Sequence, residues 1–221
     1  MTFSLIALDT ESKTVGVACA TGGPALWGFV SHLLPGVGAA ITQGFSTSVM
    51  AAEQGLARLS AGEDVASIMA DLQRRDHGEA WRQVALMDWQ GRVAGWTGDQ
   101  NVHVASMHLE SGLVVAGNML AGEEVIPAMV AAYRHARDEV GLTEALLAAL
   151  LAAQRHGGDH RGTRSAALKV RAPGGLPLDL RIDEAGDAVA ELLALHNRIQ
   201  RDTEFQAFLK RLPTADDPHR H

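Results

Sequence analysis

The period of the hydrophobic residues switches along the chain between two and about 3.6, and the switches divide it into strands and helices. Residues 2–8 alternate apolar with small side chains until Asp9-Thr10-Glu11-Ser12 supplies a turn, and residues 14–20 return as the second arm of a hairpin. Thr21-Gly22-Gly23-Pro24 breaks that arm, and residues 35–44 read as a glycine-led entry into a third strand. Two helices follow. Ser46 or Thr47 caps the first, which reaches Leu59 with Met50, Leu56 and Leu59 inward, and Ser60-Ala61-Gly62 ends it. The second carries Val65, Ile68, Met69 and Leu72 on one face. From Gln83 the period returns to two: residues 84–88, a Trp89-Gln90-Gly91 turn and residues 93–97 form a hairpin, and residues 112–118 a further strand.

A second helical pair covers residues 123–137 and 143–156, punctuated by Gly141. A glycine-rich loop, 157–162, leads into a strand at 166–172 and an edge strand at 178–182, and a last helix spans 187–196. Residues 1–212 then form one domain, with 213–221 a polar tail expected to be disordered. Helices grouped in pairs between runs of antiparallel strands argue against a doubly wound parallel sheet. The fold class expected is α+β, a four-layer αββα sandwich of two antiparallel sheets.

Composition narrows the function. The 221 residues are 47% hydrophobic, ample for a core, and a net charge of −7 argues against a nucleic-acid partner. The apolar runs are too short to span a bilayer, no basic and apolar leader is visible, and one cysteine allows no intrachain disulfide. A cytoplasmic protein without a membrane partner is expected. Cys19 lies in an apolar strand, which raises a thiol's pKa and removes it as a nucleophile. His103, His108, His156 and His160 lack paired cysteines, an HExxH motif or clustered carboxylates, so neither metal nor cofactor is expected. No GK[ST] follows any glycine loop, which excludes a phosphate loop.

The candidate chemistry starts at Thr2. Methionine aminopeptidase removes Met1 ahead of a small residue, which would leave an α-amine and a hydroxyl on one residue at the start of a strand. An α-amine of pKa about 7.7–8.0 is suited to take the proton of that hydroxyl. The plain alternative is an ordinary strand start. Asn118 is either an oxyanion donor or a turn residue before the next helix. Asp159 and Arg161 form either a pair that orients an amine or a substrate carboxylate, or a loop salt bridge contributing at most about 1 kcal/mol if exposed.

Several motifs taken together resemble a known family. They are Thr2-Phe3-Ser4, Pro35-Gly36-Val37-Gly38-Ala39 with Thr42-Gln43, Gly117-Asn118-Met119-Leu120-Ala121-Gly122, and Gly157-Gly158-Asp159 with Arg161-Gly162 and Ser165-Ala166-Ala167-Leu168. The resemblance is to the domain of unknown function 1028 family, grouped by fold with the N-terminal-nucleophile (Ntn) hydrolases, and it runs from Thr2 through the helix after residue 183. It implies the αββα sandwich, and amide cleavage by the first residue, which Thr2 matches. Departures fall at His160, Arg164 and Trp96, where the family usually has Arg, Gln and His, so the ligand is expected to differ.

The function expected is an Ntn-type amidohydrolase acting on a small amide or peptide-like substrate. Thr2, Asn118, Asp159 and Arg161 would be catalytic, with Thr42, Gln43, Arg164 and Ser165 binding substrate. A non-catalytic Ntn-like ligand-binding or self-assembling protein is the rival, and a cyclohydrolase on the same scaffold is a third reading. Exposed apolar residues on the long helices suggest a homodimer or higher homo-oligomer.

Overall fold

The computed structural model describes residues 2–102, 104–159 and 161–221, so Met1, His103 and His160, weighed above, lie outside the described residues. The chain opens with the hairpin β1 (Thr2–Asp9) and β2 (Thr14–Thr21), then a short helix α1 (Trp27–Val30) and strands β3 (Ser31–Leu34) and β4 (Gly38–Gly44). Helices α2 (Val49–Ser60) and α3 (Val65–Arg75) lead to strands β5 (Arg82–Asp88), β6 (Val93–Thr97), β7 (Ser106–Glu110) and β8 (Leu113–Asn118). After α4 (Val125–Val140) and α5 (Leu142–Arg155) come β9 (Ser165–Arg171), β10 (Leu178–Ile182), α6 (Ala188–Arg201) and α7 (Thr203–Leu209).

The described residues therefore form a mixed structure of two antiparallel sheets and seven α-helices. One sheet has the order β10-β9-β2-β1-β8-β7 and the other β3-β4-β5-β6. Strand parity decides what each face buries. Phe3, Leu5 and Ala7 of β1 pack with Met129 of α4 and Leu146 and Leu150 of α5. The opposite parity, Ile6 and Leu8, meets Ile41 of β4 and Met87 of β5, so the two sheets share an apolar cluster. Ala40, Val84 and Leu86, on the far face of the second sheet, close on Leu56 of α2 and Ile68 and Leu72 of α3. Each fully buried Leu, Ile or Phe in these clusters contributes about 1.5–3 kcal/mol, and β1, buried on both faces, is the strand the rest packs around. No helix of the described residues is long and apolar enough to cross a membrane.

Several elements differ from the sequence expectation. Strands β3 and β7 and helices α1 and α7 were not anticipated; β3 has only four residues, too few to show a period. Helix α2 is capped by Ser48, whose side chain accepts from the N–H of Ala51, rather than by Ser46 or Thr47. Met50 is 68% exposed instead of inward. It lies two residues from Ala52, about 200° around a helix from the buried stripe of Ala52, Gly55 and Leu56. The helix expected at 187–196 is α6, which runs on to Arg201. Beyond Pro213 the backbone turns back, with Ala215 N–H donating to the carbonyl of Gly174 at 3.4 Å.

Candidate functional site

Thr2 opens the central strand of the larger sheet, with Thr21 and Asn118 as its register partners on either side. Because Phe3 points to the helices, Thr2 and Ser4 point to the second sheet. Thr2 is 7% exposed, and its hydroxyl donates to Thr21 Oγ1 at 3.2 Å. Around it the space between the sheets stops being apolar. Ser4 Oγ donates to Gln43 Oε1 at 2.6 Å, and Gln43 Nε2 reaches both the Thr2 carbonyl at 3.4 Å and Gln83 Oε1 at 2.9 Å. Gln83 Oε1 also accepts from Asn118 Nδ2 at 3.1 Å, while Gln83 Nε2 donates to Thr97 Oγ1 and to the Ser106 carbonyl, each at 3.1 Å. Ser4, Gln43, Gln83 and Asn118 are at most 1% exposed, so a burial penalty of about 1–3 kcal/mol per unpaired group is avoided through these bonds to one another and to Thr2, Thr97 and Ser106.

Asn118 is thus beside Thr2, as the shared strand end requires, with one amide hydrogen directed at Gln83. Met119, immediately after it, holds φ at +54°, a left-handed conformation costly for a side-chain-bearing residue and common beside functional groups. Gln83 was missed by the sequence reading, and it is the residue that joins Gln43 to Asn118.

Asp159 and Arg161 come to the same end of the sheet from the other side. Asp159 bridges Leu120, two residues past Asn118, and its Oδ2 accepts from the N–H of Gly22, the residue after Thr21, at 2.7 Å. The preceding Gly158 lies against the ring of Phe3, and Leu120 belongs to the helix-side cluster, so this loop enters from the helical face. The Thr2 hydroxyl faces away from it. Arg161 binds the same carboxylate through its backbone N–H at 2.8 Å, Nε at 3.1 Å and Nη2 at 3.0 Å. Burial works to raise the Asp159 pKa, but the Arg161 side chain and N–H outweigh it and hold the carboxyl below its usual value. A Cβ on Gly22 would fall 2.3 Å from Asp159 Oδ2, which is why glycine stands there. The pair staples two loops, with the carboxylate buried and the guanidinium 46% exposed.

The expected substrate contacts are placed less uniformly. Gln43 lies on the Thr2 side, but its oxygen and both amide hydrogens are engaged within the chain. Thr42 has the opposite parity, and its hydroxyl accepts from the N–H of Ser48 ahead of α2 at 3.1 Å, away from Thr2. Arg164 pairs with Glu184 at 2.9 Å on the surface, and Ser165, the partner of Thr21 in β9, donates to the Gly23 carbonyl at 2.7 Å. Cys19 is buried, which pushes its thiol up to about 12. Among the described residues no group of three or more His, Cys, Asp or Glu is arranged to hold a metal ion.

The profile of DUF1028, a family of unknown function, matches residues 2–192. A crystal structure of a DUF1028 protein from Silicibacter pomeroyi superposes with a TM-score of 0.89 at 30% identity, covering 99% of this chain and 98% of that one. Anbu, an ancestral beta-subunit from Yersinia bercovieri, gives a TM-score of 0.37 at 11% identity over 96% of this chain and 98% of its own. No curated protein matches the chain.

Proposed function

Since the chain belongs to DUF1028, a family whose name lends it no reaction, we propose from its own site that it is an N-terminal-nucleophile amide hydrolase. Its substrate class is a small amide or peptide-like molecule. The fold half of this reading takes the two sheets and their helical pairs as a four-layer αββα sandwich of the Ntn type. Three apolar clusters support it, one between α4–α5 and the larger sheet, one between the sheets, and one between the smaller sheet and α2–α3.

With Met1 removed, the α-amine of Thr2 takes the proton of its own hydroxyl, and Oγ1 attacks the scissile carbonyl. The second amide hydrogen of Asn118 meets the oxyanion, the first being held by Gln83. The ammonium returns its proton to the leaving amine, and water then hydrolyses the ester on Thr2. Thr21 orients the hydroxyl, and Asp159 with Arg161 fixes the loop against Gly22. Neither metal nor cofactor enters these steps. One buried thiol fits a reducing cytoplasm.

The observation that carries the reading is the convergence of Thr2, Thr21 and Asn118 at one end of three adjacent strands, above a polar seam between the sheets. A non-catalytic ligand-binding role has one observation in its favour, the 7% exposure of Thr2. Intact-mass analysis of native protein and treatment with a peptide epoxyketone, which needs hydroxyl and amine on the same residue, separate the two. We expect loss of the methionine and an adduct on Thr2 that Thr2→Ala abolishes. Full retention of Met1 refutes the nucleophile and leaves the binding role.

A further inference from the structure

Two exposed aromatic rings, Phe45 and Trp81, stand one residue beyond the ends of β4 and β5 that carry Gln43 and Gln83. Phe45 is 61% and Trp81 42% exposed, with ring centroids 5.3 Å apart and planes tilted by 50°. Phe45 follows Gln43 by two residues and Trp81 precedes Gln83 by two, so each is tied by a short chain to a residue hydrogen-bonded at the Thr2 end. A third exposed apolar residue, Val102, gives its carbonyl to the N–H of Met119, next to Asn118.

The loops that carry them are locked together. Asn101 Oδ1 accepts from the Phe45 N–H at 3.2 Å, while its Nδ2 donates to the carbonyls of Arg82 at 2.9 Å and Gly98 at 3.0 Å. Arg82 binds Asp76 and also the Ser46 carbonyl at 2.7 Å, and the Ser46 N–H reaches the Trp81 carbonyl at 3.3 Å. The approach is tight enough to need glycine at two points. A Cβ on Gly44, at φ +126°, would sit 2.6 Å from the Trp81 carbonyl oxygen, and one on Gly98 would sit 2.3 Å from Ala80. Such bonding fixes the backbone of both loops, so less ordering of the chain is left for a ligand to impose.

We infer that Phe45 and Trp81 form a preorganised receptor for an aromatic side chain on a peptide-like ligand whose amide lies over Thr2. The inference rests on the amide-hydrolase reading for the position of that amide. The receptor itself rests on the rings, their scaffold and their distance along the chain from Gln43 and Gln83. The chemistry selected is an uncharged aromatic group. Ring-on-ring contact with a tilted aromatic pair favours it over an aliphatic group of similar size.

The test is direct binding, without turnover. Nα-acetyl-phenylalanine amide and Nα-acetyl-alanine amide are titrated by ligand-observed NMR into wild-type protein, Thr2→Ala, Phe45→Ala and Trp81→Leu. Wild type should prefer the phenylalanine amide about tenfold, as expected when one ring enters an apolar site. Thr2→Ala should keep that preference, and each rim variant should lose most of it. Equal binding of the two amides by wild type, or an undiminished preference in both rim variants, overturns the inference. So does a change of oligomeric state in the rim variants with ligand preference unaltered, which would make the rings a contact between copies. An aromatic preference without an adduct on Thr2 would sink the hydrolase reading and leave the receptor standing; an adduct without the preference would do the reverse.

Discussion

Replacing Asp159 with asparagine tests whether the loop staple is structural, and its cost can be worked from the contacts. The carboxylate side chain is 0% exposed and accepts four hydrogen bonds among the described residues. Oδ1 takes the Arg161 N–H and Nε, and Oδ2 takes the Gly22 N–H and Arg161 Nη2. An asparagine amide must put its NH2 against one of these pairs of donors whichever way it turns. Two bonds are lost and two donors are opposed by a third. Hydrogen bonds to a charged group are worth about 1.5–3 kcal/mol each, and breaking a buried pair costs about 3–5 kcal/mol. Arg161 is 46% exposed and can rehydrate, which discounts the sum. A destabilisation of about 2–3 kcal/mol is expected in guanidinium unfolding at neutral pH, or roughly 4–12 °C in Tm for a chain of this size. The sign with pH follows from the lowered pKa. The folded carboxyl titrates below its ordinary value of 3.8, so its stabilisation is present above that value and is lost as pH falls through the folded pKa. The gap between wild type and variant should therefore be full near neutrality and close in strong acid. A loss below about 0.5 kcal/mol, or one that stays constant into acid, refutes the staple.

Two further expectations follow from buried groups. Gln83→Leu removes the acceptor shared by Gln43 and Asn118, and should destabilise by about 2–4 kcal/mol in denaturant titration while slowing epoxyketone labelling of Thr2; a variant as stable as wild type would mean the seam repairs itself with water. Cys19, with its thiol pushed up to about 12 by burial, should resist a maleimide in native protein and react fully in denaturant, whereas stoichiometric native labelling would show that β2 opens.

The parts of the fold that could be read from the chain were those with several turns or strand residues of unbroken period. The β1–β2 hairpin is apolar over most of both arms and pairs in register from Thr2↔Thr21 to Asp9↔Thr14. The α3 face of Val65, Ile68, Met69 and Leu72 is buried as spaced. Strand β3 escaped because half of its four residues, Ser31 and His32, are polar, whereas the alternation of Ser106, His108 and Glu110 with Met107 and Leu109 in β7 was a legible period of two that went unread. Helix α7 turns only seven residues and buries none of them, so it has no stripe to detect. The site was half legible. Thr2 and Asn118 were named, and Asp159 and Arg161 reached the expected end of the sheet but from its helical face.

What separates Gln43 and Gln83 from Thr42 is strand parity, and that signal was in the sequence. Counting in steps of two, Gln43 shares a face with Ala39 and Ile41, Gln83 with Ala85 and Met87, Asn118 with Val114 and Ala116, and Ser4 with Ile6 and Leu8. Thr42 shares its face with Ala40, which packs on α2 and α3. Each of the four inward faces is apolar for two positions and polar at the third, always at the same end of the sheets. A core selected only for stability would continue with valine or leucine, since a buried polar network is rarely more stable than apolar residues of the same shape. Four strands from different parts of the chain make the same exception, and the four side chains hydrogen-bond one another beneath Thr2. That coincidence is hard to explain by packing. It fits the proposed reading, in which the seam fixes Asn118 beside Thr2 and leaves one preorganised amide hydrogen for developing charge.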